Sequence, residues 1–203
     1  MKAETILYEV HRGLYVNLTN RCPCACTFCL RQTMDSIGGS NPLWLDHEPS
    51  FEEVREAFQQ FDMNKYEEVV FCGFGEPTEA LDRLLETAKY VKDNFGTKTR
   101  INTNGLGNLV NNGDIAPKLA GLIDCVSISL NTPDAAEYNK LVRPKFGGKS
   151  YQAMLDFAKE CRKYVPDVVL TTVATTLTKK EEEECADICK KLGVRYRIRP
   201  WES

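Results

Sequence analysis

The chain has 203 residues, of which 42% are hydrophobic and 27% charged, with a formal net charge of −3. That size and balance point to an ordinary globular protein, read here as a single domain over residues 1–203 with enough chain to bury a core. The acidic balance argues against bulk binding to nucleic acid. No apolar run reaches bilayer length, and residues 1–10 lack a signal-peptide layout, so a cytoplasmic protein with no membrane partner is expected.

The elements alternate along the chain. Strands are expected at Leu14–Leu18, Glu68–Cys72, Thr99–Thr103, Cys125–Leu130, Val168–Ala174 and Val194–Ile198. The first and fourth alternate apolar and polar residues, as half-buried strands do. Helical runs lie between them. Ser50 with Glu53 forms a capping box opening a helix to about Phe61, and Pro77 suits the first turn of one running to about Phe95. Thr178 with Glu181 opens another, which Gly193 ends. Six strand–helix units mean an α/β protein with a parallel sheet, either an open doubly wound sheet or a partial barrel. In both, function gathers at the carboxyl ends of the strands.

The motifs stand at those ends. Four of the nine cysteines fall between Cys22 and Cys29, and closely spaced cysteines in a reducing compartment read first as metal ligands. Within Arg21-Cys-Pro-Cys-Ala-Cys-Thr-Phe-Cys29, the residues Cys22, Cys26 and Cys29 form C-x-x-x-C-x-x-C. Three thiolates in one tight loop can hold three irons of a cubane cluster, one fewer than the four cysteines of most electron-transfer clusters. A structural zinc site is the alternative, since Cys24 supplies a fourth thiol. Such sites usually pair two separated segments, and no second Cys-x-x-Cys occurs.

This loop, with Phe28 before its last cysteine and Asn17-Leu-Thr-Asn-Arg21 ahead of it, resembles the signature of the radical S-adenosylmethionine (SAM) superfamily. The likeness runs from about Gly13 to Trp201. Cys-Pro-Cys-Ala-Cys and Gly73-Phe-Gly-Glu-Pro77 look most like the small radical SAM proteins associated with TatD-family nucleases. The resemblance implies a (βα)6 partial TIM barrel with a [4Fe–4S] cluster on Cys22, Cys26 and Cys29. It further implies that SAM chelates the open iron and is cleaved to a 5′-deoxyadenosyl radical, which abstracts hydrogen from an unknown substrate. Phe28 is counted with the cofactor-binding residues on the same ground.

Gly75 and Glu76 resemble the Gly-Gly-Glu-Pro motif for the methionine amino group, with Phe74 standing where the first glycine usually does. Cys125, Ser127, Ser129 and Asn131 share one face of their strand, and a ribose would partner Ser129 and Asn131, as the resemblance also implies; the alternative is polar packing with ordered water. Asn104 is either a contact to the cofactor's methionine part or a plain Asn-Gly turn. Trp201 matches a position near the adenine in related enzymes, or anchors the last strand. Arg195, Arg197 and Arg199 face either inward, toward the cofactor carboxylate or an acidic substrate, or outward to water; Arg143 can also reach the rim. Cys185 and Cys189 share a helical stripe with Ile188 and Leu192 and read as core. His11 and His47 lack a partner motif.

The partners that follow are an electron donor such as flavodoxin or ferredoxin, an unknown small-molecule or protein substrate, and a TatD-family hydrolase as associate. Two substrate readings stand open. One is activase-like hydrogen abstraction from a protein backbone; the other is a nucleobase-like molecule, with the insertion around Ile37–Glu48 closing the site. A zinc-stabilised, non-enzymatic binding module is the rival from another class.

Overall fold

A computed structural model describes residues 5–200. Its backbone is one seven-stranded sheet in strict chain order, β1 to β7. The strands are β1 (Leu7–Val10), β2 (Gly13–Val16), β3 (Glu68–Phe71), β4 (Lys98–Thr103), β5 (Cys125–Ser129), β6 (Asp167–Val173) and β7 (Arg195–Arg199). From β2 to β7 every pairing is parallel. A doubly wound sheet reverses its strand order partway. This one never does, so each crossover turns the same way and the sheet curls into an open barrel.

Six of the strands are those expected from the sequence, and the first is an addition. β1 pairs antiparallel with β2, Leu7 opposite Val16 and Val10 opposite Gly13. The two-residue link puts His11 at φ +51°, a backbone state common in tight hairpins. Nothing in His11-Arg12 resembles the usual Asn-Gly or Asp-Gly signal, which is why the hairpin was not legible.

The helices are α1 (Phe51–Phe58), α2 (Leu81–Asn94), α3 (Gly107–Val110), α4 (Ala135–Val142), α5 (Ser150–Cys161) and α6 (Lys179–Leu192). Both capping boxes form: Ser50 with Glu53 opens α1, and Thr178 with Glu181 opens α6. Gly193 ends α6 at φ +66°. Pro77 begins a 3-10 turn, Pro77–Ala80, that leads into α2.

Strand parity divides the buried residues into two sets. Leu14, Val16, Val69, Phe71, Ile101, Val126, Ile128, Val168 and Leu170 face the helices and join Phe58, Leu84, Val91, Phe157, Cys185 and Cys189 in the main core. Each large aliphatic or aromatic side chain buried there contributes roughly 1.5–3 kcal/mol. Cys185 and Cys189 are thus core residues on α6, as their spacing predicts. The opposite parity lines the barrel interior. Near β1 to β3 that interior is filled by Tyr8, Leu43 and Phe74, with Val10, Tyr15 and Ile37 against them. The segment from Ile37 to Glu48 folds inward to supply this plug. Asn17 holds it by donating from Nδ2 to the Leu43 carbonyl at 2.7 Å, and Asn20 donates to the Leu45 carbonyl at 2.7 Å.

Candidate active site

The cysteine loop leaves the carboxyl end of β2 and is gripped from the far side of the chain. The Thr27 amide donates to the Leu141 carbonyl at 2.9 Å, Ala25 to Val142 at 3.2 Å, and Lys145 donates back to Pro23 at 2.8 Å. Cys24 and Pro144 form an isolated β-bridge. The end of α4 is therefore a short strand-like clamp, which Arg143 permits by taking a left-handed backbone, φ +47°. Arg31 adds a second tie, donating to the carbonyls of Asn20 and Cys24 at 3.3 Å each. Sequence patterning gave no sign of this clamp, because main-chain pairing between loops leaves no periodicity.

Cys22, Cys26 and Cys29 are all partly exposed, whereas Cys24 is buried in the core. That split separates three candidate ligands from one packed thiol. Cys24 hydrogen-bonds to Cys22 and Cys26, which raises its own pKa and lowers theirs. Burial pushes Cys29 up. Asn104 closes the other side, with Nδ2 3.9 Å from Cys22 Sγ and Oδ1 accepting from the Leu106 amide at 2.9 Å. Gly105 follows at φ +79°. Asn104 thus shapes its turn and approaches the cluster cysteine together.

The Gly73–Pro77 loop lies directly on the β2 loop. A Cβ on Gly73 would sit 2.1 Å from Asn17 Oδ1, and one on Gly75 would sit 2.1 Å from the Thr19 carbonyl. Neither contact is possible, so both positions need glycine for close approach. Phe74 between them points into the plug, edge-on to Trp44 at 5.2 Å between ring centroids. Its departure from the Gly-Gly-Glu-Pro pattern is explained by that packing.

Glu76 is buried and braced from several directions. Its Oε1 accepts from the Thr78 amide at 3.2 Å, the Thr78 hydroxyl at 2.8 Å and the Thr103 hydroxyl at 2.6 Å. Its Oε2 accepts from the Asn104 amide at 2.8 Å. Burial raises its pKa against the pull of these donors. The carboxylate ties the ends of β3 and β4 together, a role the sequence did not suggest, while Oε2 retains capacity for a further donor.

Ser129 ends β5, and Asn131 follows at φ +68°, a state a short polar side chain tolerates. Ser127 and Ser129 lie on the interior side, opposite Val126 and Ile128 in the core, as parity predicts. Phe28 is 44% exposed on the cysteine loop. Trp201 lies outside the described residues. His11 lies in the β1–β2 turn, and His47 meets Glu53 at 2.8 Å.

The β7 arginines face inward. Their registers set Arg195 beside Val169, Arg197 beside Thr171 and Arg199 beside Val173, while Tyr196 on the other face meets the Thr172 hydroxyl at 2.7 Å. Arg195 donates from Nε to Asp167 at 2.7 Å. Arg100 of β4, which sequence reading passed over, points into the same space and donates to Glu68 at 2.7 Å. Burial depresses the pKa of Arg197, helped by Arg100, Arg199 and Arg195.

A [4Fe–4S] cluster fits this donor set. Three partly exposed cysteines share one clamped loop, and Asn104, Ser129 and Asn131 stand at the neighbouring strand ends.

The chain is 29% identical over 171 residues to the probable dual-specificity RNA methyltransferase RlmN of a Synechococcus species, strain CC9311. That match covers 80% of this chain but 46% of the relative, so the chain spans about half its length. Among solved structures, SuiB of Streptococcus suis bound to its precursor peptide SuiA superposes with a TM-score of 0.71 at 18% identity, covering 97% of this chain and 40% of that one. A radical SAM methyltransferase from Sphaerobacter thermophilus gives a TM-score of 0.61 at 13% identity, covering 97% and 69%. At such identities the structures speak for the partial TIM barrel. The family model for the Radical SAM superfamily matches residues 16–192, nearly the whole chain, and the chain accordingly belongs to that superfamily, whose cofactors are a [4Fe–4S] cluster and SAM.

Proposed function

We propose that this chain, as one radical SAM domain over residues 1–203, cleaves SAM reductively and uses the product to take hydrogen from a substrate bound in the barrel. This reading is supported by the spacing of Cys22, Cys26 and Cys29 along one loop, where all three are partly exposed, and by Asn104 Nδ2 lying 3.9 Å from Cys22 Sγ. When bound, the cluster and SAM supply an electron and a 5′-deoxyadenosyl radical. The protein's part is to hold and orient. Cys22, Cys26 and Cys29 would hold the cluster. The Gly75–Glu76 edge would take the methionine amino group, with Asn104 beside it. Ser129 and Asn131 would hold the ribose, and Phe28 would pack on the adenine side. The plug of Tyr8, Leu43 and Phe74 keeps water from one side of the interior.

An electron donor of the flavodoxin or ferredoxin type is required by this chemistry. Association with a TatD-family hydrolase is proposed on the Cys-Pro-Cys-Ala-Cys and Gly-Phe-Gly-Glu-Pro motifs. A cytoplasmic location is proposed on the cysteine usage, and among the described residues no helix is long and apolar enough to cross a membrane.

Anaerobic reconstitution with iron and sulfide tests the reading. The protein should turn brown, and with SAM and dithionite should release 5′-deoxyadenosine. Cys26→Ala should abolish both. A colourless protein holding one zinc would instead support a non-enzymatic binding module.

A further inference from the structure

The barrel interior carries more positive charge than its own carboxylates balance. Four arginines point into the half between β4 and β7: Arg100, Arg195, Arg197 and Arg199. Glu68 neutralises Arg100, and Asp167 neutralises Arg195. Arg197 and Arg199 have no carboxylate partner among the described residues. The Nε of Arg199 and that of Arg100 are buried without any hydrogen-bond partner. A buried guanidinium donor left unpaired costs free energy, so its retention calls for an acceptor that arrives from outside. Arg197 keeps solvent access on the open β7 edge, so a small molecule can reach the cluster of charge. By register Arg197 is level with Thr171, whose neighbour on β5 is Ser129, the residue assigned above to the cofactor ribose.

We propose that Arg197 and Arg199 seat a carboxylate or phosphate group of a small-molecule substrate inside the β4–β7 half of the barrel. This rests on the proposed radical chemistry and names the class of molecule it acts on. Planar guanidiniums match either oxyanion with paired N–H donors. Glu68 and Asp167 hold Arg100 and Arg195 in place, and the two unpaired arginines carry the anion. Fixing the acidic end there would present the remainder of the substrate toward the rim.

The test is calorimetric titration of the anaerobically reconstituted protein at constant ionic strength, with inorganic phosphate in one arm and succinate in the other. One of the two should bind saturably; phosphate identifies a phosphorylated substrate, and succinate a carboxylated one. The double variant Arg197→Gln/Arg199→Gln should weaken that binding by about tenfold or more, as loss of charge-assisted hydrogen bonds implies. Arg197→Lys, which keeps the charge but not the fork, serves if the double variant does not fold, and should weaken binding severalfold. Lys180→Gln, on an exposed turn of α6, is the control. The proposal is overturned if neither anion saturates, or if the arginine variants bind as the wild type does. A matching fall in SAM affinity also overturns it, because the arginines would then serve the cofactor's carboxylate. Absence of 5′-deoxyadenosine alongside saturable anion binding removes the radical reading and leaves the anion seat standing.

Discussion

The two halves of the barrel interior are built on opposite principles. Around β1 to β3 the inward positions are Tyr8, Val10 and Tyr15, closed over by Leu43, Ile37 and Phe74. Around β4 to β7 they include Arg100, Asn102, Ser127, Asp167, Arg195, Arg197 and Arg199, interleaved with Val169 and Val173. The plugged half leaves the neutral Asn17 Oδ1 buried without a partner, whereas the polar half leaves the Asn102 Oδ1 and, at greater cost, the guanidinium Nε atoms of Arg100 and Arg199 in that state. Native interiors rarely tolerate such atoms without a reason. The plugged half carries stability through its packing, and the charged half holds the proposed anion seat at a loss of stability.

Substitutions can break or sharpen that contrast. The largest effect is expected from Leu43→Asp, which puts a carboxylate where no solvent reaches. It should destabilise the fold by about 4 kcal/mol, seen as a lowered urea midpoint, because nothing nearby pairs the charge. A change under 1 kcal/mol would mean the plug is dispensable. Next, Gly75→Ala forces a methyl into the Thr19 carbonyl, and should cost about 2 kcal/mol along with most of the bound iron. Iron per chain after reconstitution checks it; wild-type loading would refute the close-approach role.

A smaller effect of opposite sign is the sharper probe. Arg199→Met removes an uncompensated charge from the polar half and should stabilise the fold by about 1 kcal/mol, measured as a rise in Tm. A fall would show that Arg199 supports the fold instead. The smallest effect concerns Asp167, whose pKa is depressed chiefly by the hydrogen bond from Arg195. A depressed carboxylate contributes stability above its unfolded value of 3.8 and loses it as the pH drops through the lower folded value. Both partners are partly solvated, so Asp167→Asn should cost only about 0.5 kcal/mol at neutral pH. That difference should vanish in acid melts below the folded pKa.

Much of the architecture was legible in the sequence because periodicity reports burial. Val126, Ile128 and Leu130 had to face the helices, and Cys185 with Cys189 had to face the sheet. Capping boxes at Ser50 and Thr178 were legible because they use local side chains. The cysteine spacing was legible because a cluster needs its ligands close. Less visible were features made by long-range pairing. The β1 hairpin turns on His11-Arg12, which carries no turn signature. The inward direction of Arg197 was ambiguous until its register beside Thr171 was known, since an edge strand shows the same alternation either way. Glu76 was assigned a ligand role from its motif, but its bracing by Thr78, Thr103 and Asn104 depends on how β3 and β4 end together.

The clamp on the cysteine loop has a consequence for biogenesis. Residues 22–29 leave the ribosome early, yet the carbonyls and amides that shape them belong to Leu141, Val142 and Lys145. A nascent chain short of that point exposes the thiols on an unrestrained segment. Iron offered before residues 141–145 have been made would meet the cysteines without the backbone contacts that shape their loop.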